Sequence, residues 1–415
     1  MQQPKNSMEV RRSNLRLLLM TIRNNDRISK RELERLTGLS WGTISFLVSD
    51  LIKNGYIVPV GKQSTQSGRW PDTFSINSDN YYVVGLFISM NSIDAMVTDL
   101  KGSILKEWKR FLVRQEYSCI MDTLLSFLDE IILETYADKE IVSIGIAIQG
   151  TVDTKNGISV YFSPFQNWEN VPLKDIIENR YHIPTVIMHD PNCLMAAEQV
   201  KGELYKKDIK NAVMISTDGL GISLMLNGQL YLGSHNAAGE FGHVPIVENG
   251  AVCPAGHRGC LLEYATAAGI MRRLLEEVNQ GTTTSVDMNN LNFKAMISAA
   301  ENGDKLCLRL FHRLGEYLGI GISGFANVMD PEIVILHGDL VPAAHLFLKP
   351  LQDKLDAHLY RDTPIKLLLS KTGDNATAFG AAITASEFWI RQLEVPAKNS
   401  IQNNAVDSGK AIELI

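Results

Sequence analysis

The 415-residue chain is long enough for two or three domains, and 45% hydrophobic residues allow each of them to bury a core. It contains no apolar run of membrane-spanning length and no early stretch typical of a signal peptide, which argues against a membrane or secreted class. Its five cysteines, an odd number, favour a reducing compartment over a disulfide framework. We therefore expect a cytoplasmic protein without a membrane partner.

The net charge of −6 is unevenly distributed along the chain. Residues 1–78 carry 12 Lys and Arg against 6 Asp and Glu, a net charge of +6, which leaves −12 for the remainder. A basic segment joined to an acidic body suggests nucleic acid as the partner of the first part and a different ligand for the second.

Three short helices are predicted in the basic segment. Residues 13–24 form the first, because leucines and an isoleucine recur on one face. Ser29 followed by Glu32 is a capping box that starts the second helix, and Gly38 supplies the turn after it. Ser40 caps the third helix. Its predicted buried face comprises Ile44, Val48, Leu51 and Ile52.

Helix, glycine turn and helix form the helix-turn-helix pattern, and "YIVPVG" with "GKQSTQSGRWPDTFSIN" predicts the two strands and loop of a wing. In such a unit the third helix enters the major groove of double-stranded DNA by its first residues. The sequence therefore predicts a winged helix-turn-helix DNA-binding domain at 1–78; the alternative is a small helical domain that docks another protein. The predicted DNA contacts are Ser40, Trp41, Thr43 and Ser45 toward bases and Lys53, Lys62 and Arg69 toward phosphates or the minor groove.

The segment "GEFGHVPIVENGAVCPAGHRGCLLEY" (239–264) resembles a metal site with one ligand missing. His243, Cys253 and Cys260 offer the imidazole and thiolate ligands that zinc prefers, and structural zinc sites use four. Ala255 stands where a Cys-x-Cys pair would place the fourth ligand, and His257 is the nearest spare donor. Three readings stay open: a zinc site closed by His257, a weaker three-ligand site, or two reduced thiols that pack a loop.

Strands and helices alternate after residue 81, which predicts an α/β body. Residues 81–108 are predicted as three strands with a turn at Lys101-Gly102, and 121–136 as a helix. The strand "IVSIGIAIQG", a helix at 172–179 and the strand "TVIMHD", ending at Asp190, follow. The helix "CLMAAEQVKGELY" and further strands in "NAVMISTDGLGISLMLNGQLYLG" continue the pattern.

The body resembles the ROK family, which contains bacterial sugar kinases and sugar-responsive repressors. The resemblance rests on "IGIAIQGTVDTKNG", "NWENVPLKDIIENRYHIPTVIMHDPN", "HNAAGEFGHVPI" and "GHRGCLLEY", and it runs from about Tyr82 to about Ser386. The winged segment is similar to the repressor branch. The resemblance implies an actin-like, ribonuclease-H-like body of two lobes with a sugar between them. We place lobe 1 at 79–200, completed by a helix around 376–394, lobe 2 at 201–375, and a polar tail at 396–415.

The resemblance also implies a sugar site and a zinc site. Asp190 matches the base that takes a proton from the sugar hydroxyl in family kinases, and without ATP it could still accept a hydrogen bond. Glu240 and His243 match sugar contacts, and Gly150 matches a tight turn at the pocket floor. The alternative for Asp190 and Glu240 is a helix cap and a solvated loop charge. In the family, one histidine and three cysteines bind structural zinc; His243, Cys253 and Cys260 match three of these, and Ala255 replaces the fourth.

The sequence departs from the family pattern at three predicted sugar contacts. His189 stands where kinases carry asparagine, although some family repressors carry histidine there, and Phe165 replaces a second asparagine. Glu263 lies one residue after the expected carboxylate position, which is Leu262. On a helix that shift is a rotation of about 100°, so Glu263 is expected to point away from the pocket. The ligand is then an atypical sugar, or the pocket has lost its ligand.

The phosphate side of the family site is degraded, so we expect no ATP. Kinases hold phosphates in an Asp-x-Gly-Gly-Thr loop, where glycines let backbone N–H groups approach. Here the loop reads "FISMN": Phe87 cannot help hold magnesium, and Met90 blocks close approach. The later glycine-rich turns are reduced to "TDGLGIS" and "ILHGDL".

The sequence therefore predicts a sugar-responsive transcriptional regulator, and of the two kinds of regulator it favours a repressor. The kinase-like body would be a non-catalytic effector domain. Family repressors bind as dimers, so we expect a homodimer or a dimer of dimers on a palindromic operator. Two alternatives stay open: a residual sugar kinase with a DNA-binding extension, and a regulator that answers to a protein partner instead of a sugar.

Overall fold

The structure is a computed structural model of the chain that describes residues 7–25, 27–62, 71–162, 164–360 and 364–393. The predicted tail at 396–415 lies outside the described residues. The chain divides into two compact units, one of Met1–Asn80 with Glu387–Ile415 and one of Tyr81–Ser386. Within the described ranges, no helix combines the length and the apolar character needed to cross a bilayer.

The first unit contains three helices and a small antiparallel sheet in the order β1-β3-β2, which confirms the predicted wing. The predicted capping box is present at Ser29 and Glu32, and Gly38 closes the second helix with a φ of 69°. The elements are α1 (Ser7–Arg23), β1 (Ile28–Ser29), α2 (Lys30–Thr37), α3 (Trp41–Lys53), β2 (Ile57–Lys62) and β3 (Asp72–Ile76).

One part of the predicted buried face of α3 is wrong. Ile44, Val48 and Leu51 are buried as expected, but Ile52 is 38% exposed and Leu47 takes its place in the core. Ile52 lies about 100° around the helix from Leu51, beyond the edge of the buried stripe.

The end of the last helix, α11 (Ala376–Gln392), also belongs to this unit from Glu387 onward. There Glu387 pairs with Arg23 at 3.5 Å.

The second unit contains two five-stranded sheets, in the orders β11-β7-β4-β5-β6 and β14-β13-β12-β15-β16, and a small sheet β10-β9-β8. The elements up to residue 201 are β4 (Tyr81–Ile88), β5 (Ser92–Asp99), β6 (Ile104–Phe111), α4 (Tyr117–Asp129), a π-helical turn (Glu130–Thr135), β7 (Glu140–Ile148), β8 (Thr151–Asp153), β9 (Ile158–Tyr161), β10 (Glu169–Val171), α5 (Leu173–Tyr181), β11 (Thr185–His189) and α6 (Asp190–Lys201). The later elements are β12 (Ala212–Ser216), β13 (Gly221–Leu226), β14 (Gln229–Tyr231), α7 (Ala267–Asn279), α8 (Phe293–Glu301), α9 (Lys305–Met329), β15 (Ile333–His337), α10 (Ala344–His358), β16 (Lys366–Leu369) and α11 (Ala376–Gln392).

The predicted three-strand meander is confirmed as β4, β5 and β6, which pair antiparallel. Strands β7 and β11 run parallel to β4, so their carboxyl ends, which lead into Gly150 and Asp190, lie at one edge of the sheet. In the second sheet β12 and β15 are parallel neighbours. Asp190 is the first residue of α6, one residue later than the end of β11, and α6 ends at Lys201, earlier than the predicted helix.

Two glycines in the centre of the first sheet let helix α11 approach its backbone. A Cβ atom added to Gly145 of β7 would lie 2.0 Å from the Ala381 carbonyl oxygen, and one added to Gly85 of β4 would lie 2.2 Å from the Ala378 oxygen. Both distances are far below van der Waals contact, and the obstructing atoms are backbone. The helix can therefore pack at this distance only if both positions lack a side chain.

We predict that Gly145→Ala lowers the free energy of unfolding by roughly 1–3 kcal/mol, because the methyl group forces α11 away from the sheet. Gly324→Ala is the matched control: Gly324 lies in α9 with no atom within 4 Å of the added methyl group. Alanine should be neutral there or stabilise the helix by about 0.5–1 kcal/mol. Urea unfolding followed by circular dichroism measures both, and equal stability of the two variants would contradict the packing argument.

Candidate functional site

The first turn of α3 is fixed by the capping residue that the sequence predicted. The Thr43 amide donates to the Ser40 hydroxyl oxygen at 3.3 Å, and the two hydroxyl groups lie 2.9 Å apart. The Thr43 hydroxyl is therefore already engaged in the cap, and Thr43 is half-buried. Ser40 and Thr43 hold the start of α3 in place whether or not they also meet a ligand.

The outward face of α3 differs in part from the face predicted. Trp41 is 49% exposed and Ser45 is half-buried, but Phe46, 43% exposed, lies nearer the centre of the face opposite the buried stripe. Ser49 is also exposed there. The sequence contained the signal for these two residues, since 46 and 49 lie on the side opposite Ile44, Leu47, Val48 and Leu51.

The predicted basic contacts are described only in part. Lys53 is exposed at the end of α3. The backbone of Lys62 ends β2, but its side chain and the whole of Arg69 lie outside the described residues.

Asp190 lies in a buried polar site where β11 passes into α6. The residue is 5% exposed, and the Ser216 hydroxyl at the end of β12 donates to its carboxyl at 3.4 Å. The His189 Nε2 atom lies 3.4 Å from the other carboxyl oxygen. The start of β13 limits the position of the histidine, since a Cβ atom on Gly221 would lie 3.2 Å from the His189 ring.

Burial sets the charge state of this pair. It lowers the pKa of His189 to about 4 and raises the pKa of Asp190 to about 8, the latter with help from the negative charges of Asp218 and Glu240. Near neutral pH the imidazole is therefore neutral and most of the Asp190 carboxyl population holds its proton. Near neutral pH the contact between them is therefore not an ion pair, despite its salt-bridge distance.

The loop at residues 239–243 is held against the start of β13. The Ile222 amide donates to the Gly239 carbonyl at 2.9 Å, and the Gly242 amide donates to the Leu220 carbonyl at 2.8 Å. Gly239 has a φ of 111°, and a Cβ atom there would lie 2.1 Å from the Ile222 oxygen. Solvent reaches part of the Glu240 side chain. The surrounding protein still desolvates its carboxyl group enough to raise its pKa. The loop thereby brings Glu240 into the electrostatic field of Asp190.

Two other predicted sugar contacts lie in different surroundings. Gly150 forms the predicted tight turn, with a φ of 88° and no room for a side chain beside the Tyr161 carbonyl. Glu263 is 2% exposed, and one carboxyl oxygen pairs with Arg272 of α7 at 3.1 Å. Its second oxygen has no hydrogen-bond partner among the described residues. Phe165 is buried between Phe162 and Trp168.

His243, Cys253, His257 and Cys260 form one cluster, in which one potential ligand atom of each residue lies within 4.8 Å of those of the other three. The His243 Nδ1 and Cys253 Sγ atoms lie 3.8 Å apart. A tight turn presents the group: the Cys253 amide donates to the His257 carbonyl at 2.8 Å, and the Gly256 amide donates to the Cys253 carbonyl at 2.8 Å. Ala255 has no ligand atom and is exposed. His257 instead supplies the fourth donor in space.

The donor set fits a tetrahedral metal ion. Zinc bonds of about 2.0–2.3 Å place ligand atoms roughly 3.3–3.8 Å apart, so small side-chain rotations would close the cluster. In the metal-free loop, burial and the neighbouring Cys253 thiol raise the pKa of Cys260. A bound cation would reverse that shift by stabilising the thiolate. Cys253 and Cys260 are buried whereas His257 is exposed, so the site would open to solvent on the His257 side.

Acidic side chains occupy the ends of β12 and β15, a feature that the sequence reasoning missed. The Asp339 amide donates to an Asp218 carboxyl oxygen at 2.8 Å, and the Thr217 hydroxyl donates to the Asp339 carboxyl at 3.2 Å. Burial and the charge of Asp218 raise the pKa of Asp339 to about 7. The available signal was an aspartate shortly after each of two parallel strands.

The "FISMN" loop begins at the end of β4 and stands where family kinases carry their first phosphate loop. Here the Ser89 amide and hydroxyl donate to the Ser92 carbonyl at 2.9 and 3.0 Å.

Comparison with known proteins gives relatives for both units. Over 387 residues the chain is 29% identical to the xylose repressor of Bacillus subtilis strain 168, which covers 92% of this chain and 97% of the relative. It is 24% identical over 358 residues to the transcriptional dual regulator NagC of Escherichia coli K12, at 85% and 87% coverage. A crystal structure of a ROK family transcriptional regulator, a homologue of the E. coli MLC protein, has the same fold, with a TM-score of 0.80, 23% identity and coverage of 92% and 97%.

The sequence profiles of two families match the chain in separate places. The winged helix-turn-helix DNA-binding profile matches residues 11–58, which contain most of α1 and the whole of α2 and α3. The ROK family profile matches residues 83–387, which contain both large sheets, the Asp190 site and the His/Cys cluster. This chain belongs to the ROK family.

Proposed function

We propose that the protein is a sugar-responsive transcriptional repressor that binds operator DNA through its winged helix-turn-helix and senses a sugar in a non-catalytic ROK body. One observation carries the proposal: the same chain contains a helix α3 with an exposed outward face and a body in which Asp190, His189 and Glu240 lie close together. The named repressors that the chain resembles over almost its whole length support it. Residues 1–78 are the proposed DNA-binding domain, with lobes at 79–200 and 201–375.

The charges at the ends of β12 and β15 argue against catalysis. The family resemblance implies that in a ROK kinase the turn after β12 approaches the ATP phosphates and the turn after β15 lies on the adenosine side, and phosphate charge requires backbone N–H groups and cations nearby. Asp218 and Asp339 instead place two carboxyl groups there, in contact through a backbone amide. Phosphate binding would have to overcome this repulsion. We therefore assign no catalytic residue, and the retained Asp190 serves to bind sugar.

On the sugar side, Asp190 would accept a hydrogen bond from a hydroxyl group, with Glu240 and His189 as neighbouring contacts. A ligand changes DNA affinity only if it binds one conformation better than another. A sugar held between the lobes would favour one lobe arrangement, and we propose that this arrangement alters operator binding. A homodimer on a palindromic operator, in the cytoplasm with the chromosome, is the simplest assembly for such a repressor.

We predict that Asp190→Asn keeps operator affinity and loses the sugar response. The amide keeps the shape of the carboxyl but cannot accept the same charged hydrogen bond, so the coupling, about 1–3 kcal/mol in ordinary switches, should vanish. Operator binding is titrated with xylose, which the name of the Bacillus subtilis relative contains, and with N-acetylglucosamine, which the name of a similar repressor from Shigella flexneri contains. A chain lacking residues 1–78 is the control that should bind no operator.

Three outcomes would count against this assignment. An unchanged response in Asp190→Asn would place the effector site elsewhere. Sugar phosphorylation that depends on Asp190 in a coupled assay would favour the residual kinase. Failure of every sugar in a broad panel to alter operator binding would favour control by a protein partner.

We predict that sugar affinity rises with pH between about 6 and 8. The pKa of Asp190 is raised to about 8 in the free pocket by burial and by Asp218 and Glu240, whereas His189, at about 4, does not titrate in this window. If the sugar binds the ionised carboxylate, binding releases a proton, and affinity increases up to about tenfold per pH unit below 8. Calorimetry in buffers of different ionisation enthalpy measures the release; Asp190→Asn should abolish it, and a pH-independent affinity would refute it.

We also propose that the His/Cys cluster holds a structural zinc ion, with His257 in place of the thiolate that is missing at Ala255. The metal would fix the loop that carries Glu240. It would take part in no chemical step. The two thiols and two imidazoles within reach of one another support this proposal.

We predict stoichiometric zinc in the purified chain, loss of zinc in Cys253→Ser, and weaker retention in His257→Ala, where water would replace the exposed ligand. Elemental analysis after dialysis against a graded chelator series measures retention. Cys119→Ser is the matched control, because Cys119 lies outside the cluster on α4. Zinc retained in Cys253→Ser, or absent from the reconstituted wild type, would show that the cluster is not a zinc site.

A further inference from the structure

The first ten residues of α3 bring no positive charge to the face that the proposed function directs at DNA; the cation of this helix is Lys53, at its last residue. From Trp41 to Asp50 the helix reads "WGTISFLVSD", with no Lys or Arg and with an aspartate at its tenth residue. Phe46 occupies the centre of the outward face. Protein–DNA contacts go mostly to phosphates, and positive side chains make many of them. Positive charge beside the first three turns of α3 must therefore come from another element.

Helix α1 brings an arginine onto this face. The Arg11 guanidinium carbon lies 5.0 Å from the centroid of the Phe46 ring, and its Nη2 atom donates to the Asp50 carboxyl at 3.0 Å. Phe46 and Asp50 are four residues apart on α3, so the guanidinium rests on two neighbouring positions of one helix face. The Arg11 side chain is 31% exposed, which leaves part of the guanidinium open to solvent.

This arrangement leaves donors for a ligand. An arginine has five N–H donors, and the described residues engage Arg11 through one hydrogen bond, to Asp50. Its Nε atom is buried and has no partner among those residues, so solvent or a ligand cannot reach it easily. The donors that a ligand could use are therefore those on the two terminal nitrogens. A guanidinium stacked on a ring and held by a carboxylate loses little freedom when it binds an anion, and its planar fork suits phosphate.

We propose that Arg11 is a DNA phosphate contact, carried by α1 across Phe46 and held beside Asp50, that supplies positive charge next to the first three turns of α3. The inference rests on the proposed DNA-binding function. The competing explanation is that Arg11 and Asp50 only hold α1 against α3. The pair is half-buried at the surface, with the Arg11 side chain 31% and the Asp50 side chain 19% exposed. Ion pairs near the surface usually contribute little to stability, so packing of α1 against α3 is a weak reason for this pair.

The test measures binding of the full chain to a random-sequence duplex as a function of salt, because a phosphate contact acts on every sequence. Arg11→Ala should reduce the slope of log affinity against log salt by about 0.9 and weaken binding about eightfold in 0.1 M salt. Asp50→Asn removes a negative charge beside the phosphate and frees Arg11, so its affinity should equal or exceed that of the wild type. Lys139→Ala in the body removes one positive charge as a control and should leave the slope unchanged.

The outcomes separate the explanations. An unchanged slope in Arg11→Ala overturns the proposal, and so does an Asp50→Asn variant that loses affinity and thermal stability to the same extent as Arg11→Ala. If Arg11→Ala does not fold, Arg11→Gln and Arg11→Lys carry the same test: the lysine should retain the slope and the glutamine should lose it. A folded wild type that binds no duplex at any salt concentration refutes the proposed function itself, and this inference with it.

Discussion

The backbone hydrogen bonds between the 239–243 loop and the start of β13 are the constraint on which the candidate effector site depends. Gly239 and Gly242 each pair with a backbone group in the 220–222 stretch, at distances that only a glycine at position 239 permits. This contact sets the position of Glu240 relative to Asp190, and it orients His243 toward the two cysteines. A metal bound to the cluster would stiffen the loop from its other side. One loop therefore carries both Glu240, a proposed sugar contact, and His243, a proposed metal ligand.

Burial without compensating cations gives the pocket its chemistry. Asp190, Asp218 and Asp339 interact across the ends of three elements, and no described salt bridge neutralises any of them with Lys or Arg. The pKa of Asp190 and that of Asp339 are raised as a result. Such a site favours hydroxyl groups, which are neutral and donate hydrogen bonds, over phosphates, which add charge. Under the proposed function, the ROK fold is retained here with electrostatics that suit sugar binding.

The winged unit shows a related division of roles between elements. The first three turns of α3 provide shape and hydroxyl groups through Ser40, Thr43, Ser45 and Ser49, whereas positive charge lies beside them or at the helix end. Arg11 reaches Phe46 and Asp50 from α1, and Lys53 is the last residue of α3. The centre of the outward face is therefore apolar, with Phe46 under the Arg11 guanidinium.

The sequence alone determined the elements whose signals are local. The capping box at Ser29, the cap at Ser40, the wing, the strand meander and the family motifs all depend on residues a few positions apart, where periodicity and capping chemistry decide the outcome. It also identified His243, Cys253, Cys260 and His257 as candidate ligands, because spacing within one loop limits their separation. The error at Ile52 and Leu47 arose at the edge of the stripe, where one residue turns the helix by about 100°.

Only the tertiary structure decided the contacts between distant segments. Asp218 meets Asp339 across 121 positions, Arg11 meets Asp50 across 39, and one oxygen of Glu263 turns to Arg272 instead of remaining free. Sheet order sets the first of these contacts, and helix packing sets the second. Burial then fixes the pKa of Asp190, because the cost of desolvating a carboxylate depends on what surrounds it in space. No pattern along the chain encodes that environment, since it exists only after both lobes have folded.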